Sequence, residues 1–304
     1  IDLATVSALE DNVATAHGAF EEASELVAAH DSGGFVGVFQ TRFDEYVDIV
    51  SDLARDLGSA ETAIKVLPPM LGADEPRSYL LVFENNAEIR ATGGLPGSWA
   101  LVTAEDGWLE MAEQGSATDF EQYSQPIGDI TPAALDLYGA EMGRFFQNPN
   151  FTPDFPRAAE VFNAFWEERS SDQPIDGVVS LDVVALSYLM EAFGPIEVDG
   201  LTLTAGNIID QLLSEVYVEP DPAKQDATFA AAARTIFEAI TDVAEDPVAL
   251  VEALTQAARE GRFHAAPFEE DEREVLLGTK VHGALTGDDG RTPRVDIALN
   301  DATG

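Results

Sequence analysis

Two stretches of this 304-residue chain carry the side chains best suited to chemistry. The first, residues 84–94, reads Glu-Asn-Asn-Ala-Glu-Ile-Arg-Ala-Thr-Gly-Gly and lies between two apolar runs. Arg90 offers a planar fork of donors suited to phosphate, Asn85 and Asn86 add neutral donors, and Glu88 and Thr92 add further polar groups. The paired glycines Gly93 and Gly94 let backbone amides approach an anion. This placement suits a ligand loop; a strand-connecting loop whose amides tie down its own backbone accounts for the same residues. The second stretch, residues 147–157, contains Asn148, Asn150, Thr152, Asp154 and Arg157 among three prolines. It is too proline-rich for regular structure, and it reads either as an ordered functional loop or as a set of Asx and proline turns that start the next helix.

Other signatures are missing. The sequence has no Walker loop, HExxH, GxSxG elbow or EF-hand spacing, and without cysteine it has no thiolate site or disulfide. His17, His30, His264 and His282 are scattered along the chain. Asp176, Asp182 and Asp210 could assist a cation, but carboxylates are too abundant for their type alone to single them out.

The elements that must position these residues follow from periodicity. Apolar positions from Leu3 to Val27 recur at steps of three and four, the mark of an amphipathic helix. A second stripe from Phe39 to Leu57 should pair with it as a hairpin. A third short helix is expected to end at Leu67-Pro68-Pro69, with 72–76 as linker. Runs 79–83 and 98–102 then read as strands. Helix is expected over 132–146, 158–168 and 183–193, strand over 176–182, and a hairpin over 196–203. Thr204 is expected to cap a helix reaching 216. Helices near 223–243 and 247–261, a strand over 263–268, a helix through 277 and a closing strand over 294–299 complete the pattern. The expectation is an α/β fold, a mixed sheet flanked by helices, with an N-terminal helical hairpin over 1–72 and the α/β domain over 73–304.

Charge bounds the partners. Fifty-six acidic against 16 basic residues give a formal charge of −40, so no basic stripe exists for nucleic acid, and an anionic membrane surface repels the chain. Such self-repulsion suggests a saline or cation-rich setting. No stretch approaches the ~18 apolar residues of a membrane helix.

The segment YLLVFENNAEIRATGGLPGSWALV, the block NPNFTPDFPRAAEVFNAFW and the block DGVVSLDVVALSYLMEAFGPIEV resemble the domain-of-unknown-function 4012 family of actinobacterial envelope proteins. The ending VDIALNDATG also resembles a family block. DGVVSLD and the helix leading into GPIEV look distantly similar to LytR-CpsA-Psr proteins, which transfer glycopolymers from polyprenyl-pyrophosphate carriers to the wall using arginines and magnesium. The resemblance implies a LytR-CpsA-Psr-like fold that binds or transfers a polyprenyl-phosphate glycan, or else a non-catalytic envelope scaffold contacting a protein partner through the N-terminal helices. It places Arg90 at a phosphate-binding position, with Asp154 and Arg157 where other catalytic residues fall and Asn85, Asn86, Glu88, Thr92 and Asn150 around the ligand. Mg2+ is the implied cofactor, although glycines stand where the enzyme pattern expects a metal-binding aspartate. An extracytoplasmic location, anchored by a membrane helix upstream of Ile1, is also implied.

Overall fold

The protein's structure, a computed structural model, describes residues 2–198, 200–218, 222–242, 247–285 and 297–301. It opens with α1 (Leu3–Ala8), whose first amides are capped by the Asp2 carboxylate, followed by α2 (Glu10–Ala28) and α3 (Gly37–Met70). The helix expected across 3–27 is broken at Leu9. The two helices expected between 39 and 69 are instead one helix of 34 residues. Gly58 does not interrupt it, because that glycine is a packing position: a Cβ there would lie 2.9 Å from His17 Nε2 on α2. The hairpin is further tied by His17 Nδ1 against Glu61 at 2.6 Å and by Ser24 against Ser51 at 3.0 Å.

Three antiparallel strands follow: β1 (Arg77–Arg90), β2 (Gly93–Glu105) and β3 (Trp108–Ser116). β3 has no counterpart in the sequence reading, because it is an edge strand with few buried residues and so lacks the apolar run that marked its neighbours. Next come α4 (Pro132–Tyr138), α5 (Phe155–Arg169), β4 (Gly177–Asp182) and α6 (Val183–Phe193). The helix expected over 132–146 stops at Gly139, whose φ of 80° ends α4 before a 3-10 turn. The hairpin β5 (Ile196–Val198) and β6 (Leu201–Leu203) leads to α7 (Ile208–Leu213). That helix starts after Asn207 rather than at Thr204, since Asn207 Oδ1 takes the Thr204 amide at 2.7 Å and holds the turn open. Then come α8 (Pro222–Asp242), α9 (Pro247–Arg259), β7 (Phe263–Pro267) and α10 (Glu270–Leu276). Of the closing strand expected over 294–299, residues 294–296 lie outside the described residues and 297–299 form no strand.

The main sheet runs β3-β2-β1-β4-β7, with β1 and β4 parallel and the other neighbours antiparallel. Alternation along β1 sorts its side chains between two cores. Leu80 and Val82 join Trp99, Val178 and the α5 residues Phe155, Phe162 and Trp166, whereas Leu81 and Phe83 pack with α6, α8 and α9. A smaller cluster of Val66, Ala265 and Leu276 fastens the end of α3 to β7 and α10. With both faces covered, the parallel pair in the middle is rigid. Its C-terminal edge is where β1 and β4 both run from apolar residues into acids.

Candidate functional site

β4 ends beside the middle of β1, with Glu84 directly opposite Asp182. Each acid ends a buried apolar run, YLLVF in one case and VVSL in the other. The edge of a sheet where parallel strands end is a common place for ligand sites in α/β folds. Glu84 is 2% exposed and Asp182 1% exposed.

Residues 84–94 are not a loop between strands. They continue β1 to Arg90 through register shifts at Phe83/Glu84 and between Asn85 and Ile89, then turn tightly into β2. Asn85 Oδ1 accepts the Ala87 amide at 2.9 Å, an Asx turn that stabilises the bulge. The two glycines serve the chain's own side chains. Gly93 has φ 119°, and a Cβ on it would sit 1.8 Å from Glu84 Oε2. A Cβ on Gly94 would strike the Asn85 carbonyl oxygen at 2.2 Å. They make room for a folded-over carboxylate rather than for an external anion.

Around Glu84 the polar groups are unevenly matched. Its Oε2 receives the Gly94 amide at 3.3 Å, and its Oε1 receives Asn150 Nδ2 at 3.5 Å. Asn150 is fully buried. Its Nδ2 also donates to the Gly94 carbonyl, which fixes the amide orientation and leaves Oδ1 without a donor. Asn86 donates through Nδ2 to Asp182, and its Oδ1 is likewise without a donor. Asp182 is committed elsewhere. Its Oδ1 caps α6 by accepting the Ala185 amide at 2.7 Å, and its Oδ2 takes Arg262 Nη1 at 3.0 Å. Burial first, and then the nearby Asp182 carboxylate, push Glu84 well above the usual carboxylate range, opposed by the Gly94 amide, Ser180 and Asn150. Behind it, His264 stacks on Phe155 at 5.0 Å with Nδ1 unpartnered, and burial lowers its pKa to about 4. Buried polar atoms without a partner are uncommon in a fold, and each calls for an explanation.

A cavity of about 240 Å³ opens beside this cluster. Phe83, Leu95, Val183, Leu186, Phe229 and Ile236 supply apolar wall. Glu84, Asn85, Glu88 and Gln147 are at its polar end, with the hydroxyls of Ser116 and Thr118. Among the described residues no lysine or arginine lines it.

The other expected site residues fall in three places. Asn85 and Glu88 line the cavity, Asn86 and Asn150 brace its acids, and Thr92 donates to the Asn150 carbonyl from its amide at 3.4 Å. Arg90 is 8% exposed and turned away from the cavity. Its Nη1 donates to the carbonyls of Ile89 and Asp301, and the guanidinium lies 5.1 Å over the Phe151 ring. Residues 300 and 301 complete this contact: Asn300 accepts from Ala91 and donates to Phe151, while the Asp301 amide donates to Ile89. Asp154 precedes α5, where burial raises its carboxyl against the amides of Arg157 and Leu285. Arg157 pairs with Glu160 at 2.9 Å across a separate hollow shared with Asp129 and Glu167. The phosphate-binding set expected from the sequence, Arg90 with Asp154 and Arg157, is therefore not assembled around one cavity. Glu84 is the residue that reading passed over, and its signal was a carboxylate placed directly after a buried strand.

Comparison with known families fits these landmarks. Residues 74–217 match the family described as "Protein of unknown function (DUF4012)". This stretch is a DUF4012 domain. It includes β1 to β6, both polar stretches discussed above and the paired acids Glu84 and Asp182. No curated protein matches the chain significantly. Solved structures similar to it include the transcriptional regulator yvhJ from Bacillus subtilis, at 13% identity and TM-score 0.35, covering 67% of this chain and 77% of that one. Protein gbs0355 from Streptococcus agalactiae is similar at 14% identity and TM-score 0.40, covering 68% and 74%. Outside the DUF4012 domain, α8 and α9 close the wall over its second core.

Proposed function

We propose that the DUF4012 domain is an extracytoplasmic binding module that seats the apolar chain of an envelope lipid or lipid-linked glycan, and that it holds this molecule without transferring it. The observation that carries this reading is the cavity beside Glu84, whose lining is mainly apolar with a few polar groups, the carboxylates of Glu84 and Glu88 among them. The resemblance to envelope proteins supports the location, with anchorage by a membrane helix upstream of Ile1 as part of the proposal. Among the described residues no helix is long and apolar enough to cross a membrane.

Transfer from a pyrophosphate carrier needs cations where negative charge develops. Here Arg90 is bound to backbone carbonyls and Arg157 to Glu160. Magnesium fits poorly as well: both Asp182 oxygens already accept hydrogen bonds, and no three acids or histidines converge among the described residues. No step is routed through a metal.

The test is to titrate octyl glucoside, below its micelle concentration, into the wild type and Gly97→Leu. Gly97 lines the cavity and a Cβ there meets nothing within 4 Å, so the leucine fills the space without strain at its first carbon. Binding to wild type that weakens at least about tenfold in Gly97→Leu, roughly 1.4 kcal/mol, supports the reading. Equal binding to both proteins overturns it.

A second reading attaches to the helical hairpin. Phe39, Tyr46, Ile49 and Leu53 stand exposed along α3 at steps of seven, three and four, the spacing of a coiled-coil seam. A helical protein partner would cover this stripe. Tyr46→Glu with Leu53→Glu should then abolish co-purification of that partner while leaving octyl glucoside binding as in wild type.

A further inference from the structure

The cavity's polar end has a composition that bears on which head group it can receive. Glu84 and Glu88 contribute carboxylates, and among the described residues no basic residue lines the space. Fully buried Asn150 turns its amide toward Glu84 and leaves Oδ1 without a donor, and Asn86 Oδ1 is in the same condition. The nearest cations are occupied, Arg262 by Asp182 and Glu260, and Arg90 by the carbonyls of Ile89 and Asp301. The lining therefore carries two acids and, among the described residues, no cation, inside a chain of formal charge −40.

A phosphate entering here would meet two acids and no counter-charge, which costs several kcal/mol on burial. A primary ammonium brings three donors and one positive charge to sites that lack both. We propose that this cavity selects amphiphiles with a cationic amine head group, with Glu84 and Glu88 as the counter-charges. This rests on the reading that the cavity takes an apolar chain, and it adds the chemistry of the head. It also sets the domain apart from the polyprenyl-pyrophosphate carriers that the family resemblance implies. Glu84 and Asp182 are unequal partners in this, because Asp182 is already neutralised by Arg262 whereas Glu84 has no cation in contact.

The experiment compares octylammonium, octyl glucoside and octyl phosphate by calorimetric titration into the whole chain at pH 7.5 and ~0.15 M salt, which screens the diffuse surface field. The expected order is octylammonium tightest and octyl phosphate weakest, with roughly tenfold or more between the extremes. In Glu84→Gln and in Glu88→Gln that preference should shrink. The second variant changes a partly exposed side chain and keeps the test valid should the first fail to fold. Octyl phosphate binding as tightly as octylammonium overturns the proposal, as does a cation preference that survives in both variants and so reports only overall charge. If octyl glucoside binds but the ammonium gains nothing, the head-group inference fails and the apolar-chain reading stands. If none of the three binds, both fail.

Discussion

β1 carries one buried acidic environment at its start and another midway along it, and the two are built differently. At its start, Arg77 is 10% exposed at the side chain and lies 3.3 Å from both Asp176 and Glu272, with Glu75 at 3.5 Å and Glu269 at 3.9 Å. Asp176 also accepts the Ser78 amide at 2.7 Å, and the Phe268 amide donates to the Asp176 carbonyl, so the group stitches β1 to β4 and β7. Seven residues further along the same strand, Glu84 is buried as deeply as Glu272 but has a carboxylate for a neighbour and no cation in contact. Burial raises the carboxyls of Glu84 and Glu272 alike, and both sites hold buried polar atoms without a partner; a cation in contact is found at one. The compensated site has the marks of structure. The uncompensated site adjoins the cavity, and a group left in that condition is better explained by a ligand than by the fold.

The largest effect should come from removing the compensation. Arg77→Met leaves Glu272 and Asp176 without their shared cation and is expected to lower stability by about 3–5 kcal/mol in urea unfolding. A loss below ~1 kcal/mol would mean the network is no more than a surface pairing. At the other site the sign reverses. Glu84 has its folded-state pKa raised above 4.5, so the native state holds the proton more tightly than the unfolded chain does. Its favourable contribution is complete in acid and is lost as pH rises through the raised value. Glu84→Gln should therefore stabilise the fold by about 1–3 kcal/mol at pH 8, with the gap closing as pH falls toward 4.5. A gap that stays constant with pH, or a destabilised variant at pH 8, would remove the contrast between the two sites.

The sequence made some of this legible. Helix α6, the hairpin β5–β6 and the strands β1, β2, β4 and β7 were readable because each is a short apolar run or an amphipathic stripe bounded by turn residues. β3 was not, since an edge strand with polar faces has no such run. The stretch after Phe83 was misread for a related reason. Asn85, Asn86 and the two glycines look like loop residues, but the Asx turn at Asn85 and the room made by Gly93 and Gly94 are what allow a strand to bulge and continue. The candidate site was half visible. Asparagines and Glu88 were recognised by type, whereas the pairing of Glu84 with Asp182 is set by parallel register between segments almost a hundred residues apart. Arg90 looked like a phosphate ligand because its chemistry is general; the carbonyl of Asp301, at the far end of the chain, decides its use here.

Arg90 supplies the next and smaller test of the contrast. It is buried like Arg77 but holds backbone carbonyls and an aromatic ring rather than acids. Arg90→Ala is expected to cost about 1–3 kcal/mol, from a charged hydrogen bond and a cation–π contact, and to release residues 297–301, measurable as faster amide exchange at Ala91 and Asp301. Octylammonium binding should change little, because the guanidinium is outside the cavity.

The smallest effect is expected at Arg157, and it is the sharpest check on where the site lies. Its ion pair with Glu160 is about half exposed on both sides and joins residues three apart on α5, a geometry worth ~0.5 kcal/mol or less. Arg157→Ala should leave the unfolding midpoint within that margin and leave octyl ligand binding unaltered. The two arginines were marked together as phosphate ligands by their place in the sequence, yet one is tied to the end of β1 and the other faces a separate hollow lined by Asp129, Glu160 and Glu167. A tenfold loss of binding in Arg157→Ala, with stability intact, would move the site to that hollow and return the Glu84 stretch of β1 to a structural role.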